Sequence, residues 1–579
     1  MKKIFILCCT AAISLCFSSC NDKLDTENLF EKDLNSFYST PTEIAEAISG
    51  VYNAMYVSDV LSEPTLASDL LSDLVLAGGG PDDEKAKWVD SFKDPSEDTF
   101  RDLWITTYNG VYRANATIEA VNSKDYSTFF TTAAEAESFK NETLGETYFM
   151  RGFFLYRAAK FFGGMPLIMT TQTPRDIPRA SLDDTYQQIL SDLKLGIELM
   201  PNKEASSYTL EEYGHANKWV AEAYLARVYL YYTGYKKNIL KEEVGDITLL
   251  DETTLTKSDV IGYLNDCINN SGYELLPDFR NLWPYSYINK ASQTINGDNN
   301  VVLPWAEEAG LDWAGQDGFH STIGTGNTEV MFAKRFAFGD WSWSDPQGKT
   351  NRLCLYLGIR ENSLTPFGQG WGWGPINPNF YNQWDDQDLR KEGSVLELKE
   401  DPSNGLNGLV TEMGDQETGL VNKKFLNYQF DGPDGTRGMF AYLYNMAGPD
   451  MQLWHAQDIY LMRFADVMLM QSELTEDATY LNKVRKRAGL EEVPYSLDAI
   501  KAERMHEFAF EGLRWFDLVR WGDVESGHNF WSTDVQVTNV GVPATYKVNY
   551  RVETKGLSPI PESEIRLSND VYTQNPGWE

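Results

Sequence analysis

The stretch NETLGETYFMRGFFLYRAAKFF, residues 141–162, decides the fold. Leu144, Tyr148, Leu155, Ala158 and Phe162 recur at helical spacing, and Gly163-Gly164 followed by Pro166 ends the run. A helix with such a face must pack on another helix. Working outward, the same periodicity predicts helices over residues 42–56, with Thr40 as cap and Pro41 in the first turn, and over 100–121, 183–200, 216–232 and 258–270. They fall into antiparallel-looking pairs with small and aromatic residues on the facing sides, a pattern of tetratricopeptide-like hairpins with irregular spacing. Helix returns over 457–473, 475–488 and 497–521, so both ends of the chain should build one scaffold. Between residues 277 and 453 the character changes: Gly, Pro, Asn and Trp become dense, and only short strand-like runs such as 329–336 remain. The expected fold is mainly α, with a leader over 1–19, a helical region over 20–276, a loop-rich insertion over 277–453, and 454–579 completing the scaffold.

The leader sets the address. Met1-Lys2-Lys3 supplies positive charge and residues 4–17 are an apolar run of roughly a dozen, too short to span a bilayer and typical of a signal peptide. It ends in Phe17-Ser18-Ser19-Cys20, which resembles a bacterial lipobox with Cys20 as the acylated residue, although Phe17 stands where Leu is usual. Ordinary secretion with Cys20 as a bystander is the alternative. Beyond Cys8, Cys9, Cys16 and Cys20, only Cys267 and Cys354 remain, so neither a disulfide framework nor zinc spacing is present. No later stretch has about 20 consecutive apolar residues, and membrane attachment is expected through lipid.

A formal net charge of −35 argues against nucleic acid and anionic lipid as partners, because neutralising phosphates needs clustered Lys and Arg. A neutral or cationic ligand is expected.

Several separated blocks carry a family resemblance. They are YFMRGFF (148–154) leading into FGGMPL (162–167), AEAYLARVYLY (221–231), LNKVRKRAGL (481–490), ERMHEFAFEGLRWFDLVRWG (503–522), and the ending LSPIP (557–561) with QNPGW (574–578). In these blocks and their order the chain resembles the SusD/RagB outer-membrane nutrient-binding lipoproteins. The resemblance implies four tetratricopeptide-like helix pairs supporting an irregular region that carries the ligand site. It also implies a partner, a SusC-like TonB-dependent transporter, with the lipoprotein anchored in the outer membrane and facing the exterior.

Signals for chemistry are weak. Glu503, Glu507 and Glu511 lie four residues apart beside His506, but Arg504, Arg514, Arg520 and Asp517 interleave with them as on an ion-paired helix face. No His-Glu-x-x-His or Gly-x-Ser-x-Gly motif occurs, so no catalytic residue, cofactor or metal is assigned. Gly78-Gly79-Gly80 lacks the Lys-Ser/Thr of a phosphate loop and precedes Pro81-Asp82-Asp83-Glu84, which reads as a flexible loop. Asp385, Asp386 and Asp388 lack the glycine and distal Glu of a calcium loop.

The informative signal is aromatic. Trp283, Trp305, Trp313, Trp341, Trp343, Trp371, Trp373 and Trp384 put eight of the 16 Trp into a loop-rich fifth of the chain. A sugar ring offers a sheet of C–H groups on one face and hydroxyls at its edge, so a binding site should pair flat indoles with polar groups. Each of these rings could instead pin a loop onto the helices. Trp305, Trp313, Trp341, Trp343, Trp371 and Trp373 are the expected contacts, with Arg352 and Arg360 as hydroxyl donors. The resemblance implies a second contribution from the loop after the first helix, here Asp69, Asp73 and Trp88, where the two acids could equally cap or salt-bridge a short helix. Trp104, Trp219, Trp515 and Trp521 fall on helices and read as packing. The expected function is capture of an oligo- or polysaccharide and its delivery to the transporter. A peptide-binding member of the same family and a glycoside hydrolase are the alternatives.

Overall fold

The computed structural model describes residues 37–93, 98–296, 301–321, 323–336, 350–360, 366–398, 414–428, 430–431, 437–438, 455–526, 529–532 and 534–579. Cys20 and the leader, like Trp341 and Trp343, lie outside the described residues.

The fold is mainly helical. Helix α1 (Pro41–Asn53) starts at a capping box, in which Thr40 accepts from the Glu43 amide while Glu43 reaches back, and it buries Ile44, Ala47, Ile48 and Val51. Two short helices follow, α2 (Pro64–Leu71) and α3 (Glu84–Asp90), and then α4 (Arg101–Ser123), α5 (Ala133–Phe162), α6 (Leu182–Leu199), α7 (Lys218–Tyr235) and α8 (Lys257–Asn270). Each helix from α4 to α8 packs on the next, as stacked hairpins require. Helix α5 begins eight residues before the periodic stretch. Residues 133–140 are mostly exposed and show no apolar stripe, so their helicity rests on the Thr132–Glu135 capping box.

The C-terminal helices close on the N-terminal ones. They are α9 (Phe464–Thr475), α10 (Thr479–Arg487), α11 (Leu497–Glu507) and α12 (Arg514–Trp521), with α9 against α8 and α12 against α7 and α2. Two elements differ from those the sequence periodicity predicts. The run 457–473 opens not as helix but as a strand, Ile459–Arg463, paired antiparallel with Val330–Lys334; its apolar residues find a ladder partner over a hundred residues away. The run 497–521 is two helices. Between them Phe510 and Gly512 take φ of 65° and 72°, and a side chain on Gly512 would press on the Thr65 backbone.

The motifs at the chain's end form one knot with the end of α5. Asn575 Nδ2 donates to the Phe162 and Ser558 carbonyls (3.1 and 2.7 Å), Gln574 brackets Ile560 through its amide N–H and carbonyl, and Trp578 Nε1 donates to Leu557 O (2.8 Å). FGGMPL, LSPIP and QNPGW are thus three segments of a single junction.

One hydrophobic core runs from the helices into the irregular region, and Trp283, Trp313, Trp373 and Trp384 belong to it. The insertion is therefore welded to the scaffold by its own aromatics.

Candidate functional site

The triple glycine is not a flexible loop. Residues 74–79 lie antiparallel to 372–377: Leu76 N donates to Pro375 O (2.8 Å), Gly374 N to Ala77 O (3.0 Å), Gly79 N to Gly372 O (2.9 Å) and Asn377 N to Leu74 O (2.8 Å). Gly78 holds φ at 68°, and a Cβ there would collide with the Gly372 carbonyl and the Pro375 ring. Side chains finish the turn, with Gln416 Oε1 accepting from Gly78 N (2.9 Å) and Asp83 from Gly80 N (2.6 Å). Lys87 on α3 bridges the Gly80 carbonyl (2.9 Å) and Asp415 (2.5 Å). Beneath lies Asp90, 1% exposed, whose Oδ2 accepts from Ala77 N and Gln416 Nε2. Burial pushes its carboxyl up to about 7.

Upon this ribbon the structure gathers Arg360, Trp371 and Trp373 with Tyr356. Ile359–Arg360 pairs in parallel with Gln369–Gly370, which sets Arg360 beside Trp371, and Arg360 Nη1 donates to the Trp371 carbonyl (3.0 Å). The Tyr356 ring stands edge-on to Trp371 and Trp373, with centroids at 4.6 and 4.7 Å. Trp371 and Tyr356 are half-buried, whereas Trp373 is buried beneath them. Beside them a recess of about 420 Å³, counting its open mouth, is lined by Leu357, Arg360, Trp373, Leu398, Glu417 and Thr418 among others. Indole and phenol faces therefore stand next to one guanidinium, one carboxylate and one hydroxyl, a combination that suits a flat, polyhydroxylated ring and offers no activated nucleophile.

The other expected site residues fall elsewhere. Trp88 on α3 is half-buried and lines a separate recess of about 370 Å³ with Phe92, Trp515, Leu557 and Trp578. Trp305 is half-buried, 5.8 Å from the Tyr285 ring, with Lys423 Nζ 4.0 Å above its face. Arg352 caps the helix Leu353–Tyr356 and donates to Ser58 O (2.8 Å). Three expectations meet a physical obstacle. Trp313 is fully buried, and Asp69 and Asp73 serve the scaffold: Asp69 Oδ1 accepts the Gly512 amide (3.0 Å) at the break between α11 and α12, and Asp73 holds Arg514 in a bidentate ion pair (2.8 and 2.9 Å) at zero exposure. Burial pushes Asp69 up to about 8. This is the capping and salt-bridging alternative, realised between distant segments. Tyr356, Glu417 and Thr418 carried no sequence signal, because only chain crossing puts them beside Arg360.

The acids of 503–511 are not on a solvated helix face. Glu507 is buried among Arg463 (2.7 Å), Arg487 (2.5 Å) and Arg390 (3.2 Å), Glu511 pairs with Arg463 and Lys424, and Glu503 with Arg390 and Arg485. The three guanidiniums hold the Glu507 carboxyl far below the usual range. A deeply depressed carboxyl locked in ion pairs cannot serve as a general acid. Asp388 and Asp386 are likewise committed, to Arg390 and Lys391. Among the described residues no group of His, Cys, Asp and Glu could hold a metal ion, and no helix is long and apolar enough to cross a membrane.

With this geometry in hand, the comparisons place the chain. Residues 23–230 match a SusD-like family described as "Starch-binding associating with outer membrane", and residues 376–578 match the SusD family. The chain belongs to the SusD/RagB family. Its curated relatives include a SusD-like protein of Bacteroides ovatus, 23% identical over 90% of this chain and 82% of that one. Another is SusD-like protein P2 of Formosa agariphila, 22% identical over 94% of each. Among solved structures, a "Laminarin binding SusD-like protein" superposes with a TM-score of 0.67 at 23% identity, over 93% of this chain and 100% of that one. Surface glycan-binding protein A from Bacteroides thetaiotaomicron in complex with laminarihexaose superposes at 0.66 and 21%, over 93% and 99%. The likeness is one of fold, a tetratricopeptide-like helical scaffold.

Proposed function

We propose that this chain is a cell-surface glycan-binding lipoprotein that captures an oligo- or polysaccharide without chemistry and delivers it to a SusC-like TonB-dependent transporter in the outer membrane. The observation that carries this reading is the cluster of Tyr356, Trp371 and Trp373 around Arg360, of which Arg360 and Trp373 line the recess together with Glu417 and Thr418. Half-buried rings held edge-to-face present flat apolar surface for sugar C–H groups, and the charged and hydroxyl groups beside them take the hydroxyls. Family membership and the glycans named for structurally similar proteins support the same reading. Cys20 is the lipid attachment point in this scheme. Anchoring beside the transporter raises the ligand's effective concentration at the pore, so a shallow site of modest affinity suffices.

Affinity electrophoresis on laminarin, starch and other polysaccharides, with a parallel assay for new reducing ends, tests the proposal. Retention on at least one glycan without new reducing ends is expected. Failure of retention across the panel, or release of reducing ends by pure protein, would refute it. Cys20→Ala should release the protein from membranes, and persistent attachment would refute the anchor.

A further inference from the structure

A second cavity lies within the scaffold, bounded by α5, α7, the start of α2 and the turn before α12. It measures about 580 Å³, counting its open mouth, with Phe153, Tyr156, Tyr224 and Tyr460 among its walls. An adjoining space of about 370 Å³ shares Tyr156, Lys160, Arg227 and Leu513 with it. Neither cavity touches the ribbon that carries Trp371.

The charges lining the first cavity are Glu63, Arg157, Lys160, Arg227, Lys334 and Glu511, and they do not balance. Glu63 is committed to Lys334 (2.5 Å), Glu511 to Lys424 and Arg463 (2.7 and 2.8 Å), and Arg227 to Asp466 (2.5 Å). Arg157 and Lys160 form no ion pair with any described carboxylate. Arg157, 5% exposed, donates Nη1 to Met55 O (2.9 Å) and Nη2 to Thr106 Oγ1 (2.8 Å), while its buried Nε has no hydrogen-bond partner. Lys160 Nζ sits 4.1 Å over the Phe516 ring and 5.7 Å from that of Tyr156. The two cations are three residues apart on α5 and so share one helix face. Leaving the buried Arg157 Nε unmet and its guanidinium without a counter-charge, beside the half-buried Lys160, is costly, and a bound anion relieves both at once. Burial first, then the neighbouring Arg227 and Arg157, pushes the Lys160 ammonium down to about 7.

We propose that this cavity is a binding site for a small carboxylate-bearing molecule, whose two oxygens take one hydrogen bond from Arg157 Nε and one from Lys160 Nζ. The single Arg157 Nε–H and the Lys160 Nζ, one helical turn apart, suit the two oxygens of a carboxylate, and the proposal commits to that group over phosphate or sulfate. The aromatic walls receive the body of the ligand. The carboxylate can belong to a free organic acid or to a uronic-acid residue at the end of a sugar chain. The inference does not depend on the glycan reading of the Trp371 site.

Titration calorimetry of the whole mature chain with acetate, glucuronate, glucose and inorganic phosphate tests it, at about pH 8 in two buffers of different ionisation enthalpy. A carboxylate placed beside an ammonium that is mostly neutral at this pH draws a proton onto it, so binding should be saturable and accompanied by proton uptake. Lys160→Met, which removes a desolvated charge without opening a cavity, should weaken binding about tenfold or more and abolish the uptake. Lys160→Arg should keep the binding and lose the uptake, since a guanidinium is already charged. Equal binding of acetate and glucuronate assigns a free organic acid; glucuronate about tenfold tighter, with glucose inert, assigns a uronic sugar. The proposal is overturned by any of four results: no saturable carboxylate binding, glucose or phosphate binding as tightly as the carboxylates, unchanged binding by Lys160→Met, or uptake that persists in Lys160→Arg.

Discussion

Arg463 and Arg360 stand in two regions that treat the same side chain oppositely. Arg463, 2% exposed, is surrounded by Glu329, Glu507 and Glu511, and Arg487 of α10 shares Glu329 and Glu507 with it, so strand, α10 and α11 join in one network. Arg360 is half-buried, lies over the Gly80 backbone and looks along a recess beside Trp371. The difference teaches that the charges of the C-terminal block are consumed in holding two ends of the chain together. In the central ribbon Arg360 bonds a backbone carbonyl, that of Trp371, and lines the open recess, which is where the proposed function puts the ligand's hydroxyls.

The contrast can be broken by substitution, and the largest effect belongs to the network. Arg463→Met takes one partner from each of three buried carboxylates, leaving them to Arg487, Arg390 and Lys424, and should cost about 3–5 kcal/mol in urea unfolding. A loss under about 1 kcal/mol would mean the network is solvated after all. Gly78→Ala comes next, because the new methyl meets the Gly372 carbonyl at a positive φ. A loss of about 1–3 kcal/mol is expected, together with weaker glycan retention as the Trp371 segment shifts.

His506 offers a pH test of the scaffold side. It stacks on Trp384 at 4.9 Å, and burial first, then Arg390, pushes its imidazole down to about 3. The folded protein thus keeps it neutral, while the unfolded chain takes up a proton near pH 6.5. Its contribution is complete above pH 6.5 and drains away as the pH falls toward 3. Relative to wild type, His506→Phe should therefore gain stability progressively between pH 6.5 and 4.5, read from urea midpoints; parallel pH profiles would contradict the stacking assignment.

The smallest effect on stability should come from the ribbon's rim. Trp371→Ala is expected to lower stability by less than about 1.5 kcal/mol while weakening glycan retention about tenfold. Trp88→Ala sharpens the comparison. Loss of retention in Trp88→Ala with none in Trp371→Ala would move the site to the recess shared with Trp578.

Much of the fold was legible, because amphipathic helices declare themselves within a few turns. The cap Thr40, Pro41 and the apolar stripe of α1 are local facts, as are the Gly163-Gly164 stop and the helices α4 to α8. The failures are equally physical. The strand Ile459–Arg463 and the break at Gly512 depend on partners, Val330–Lys334 and Asp69, that lie far away in the chain. Asp69 and Asp73 looked like ligand contacts only while Gly512 and Arg514 were out of sight.

Sequence by itself determined the family, the helical scaffold and the abundance of indole in the middle of the chain, since these rest on local periodicity, motif order and composition. Tertiary structure alone decided which indoles are core and which are surface: Trp313 and Trp373 are buried, Trp305 and Trp371 half-exposed, in the same loop-rich context. The reason is that a ring's exposure is set by whatever segment crosses it, and those crossings, such as Gly78–Gly80 over 372–375, join residues some three hundred positions apart.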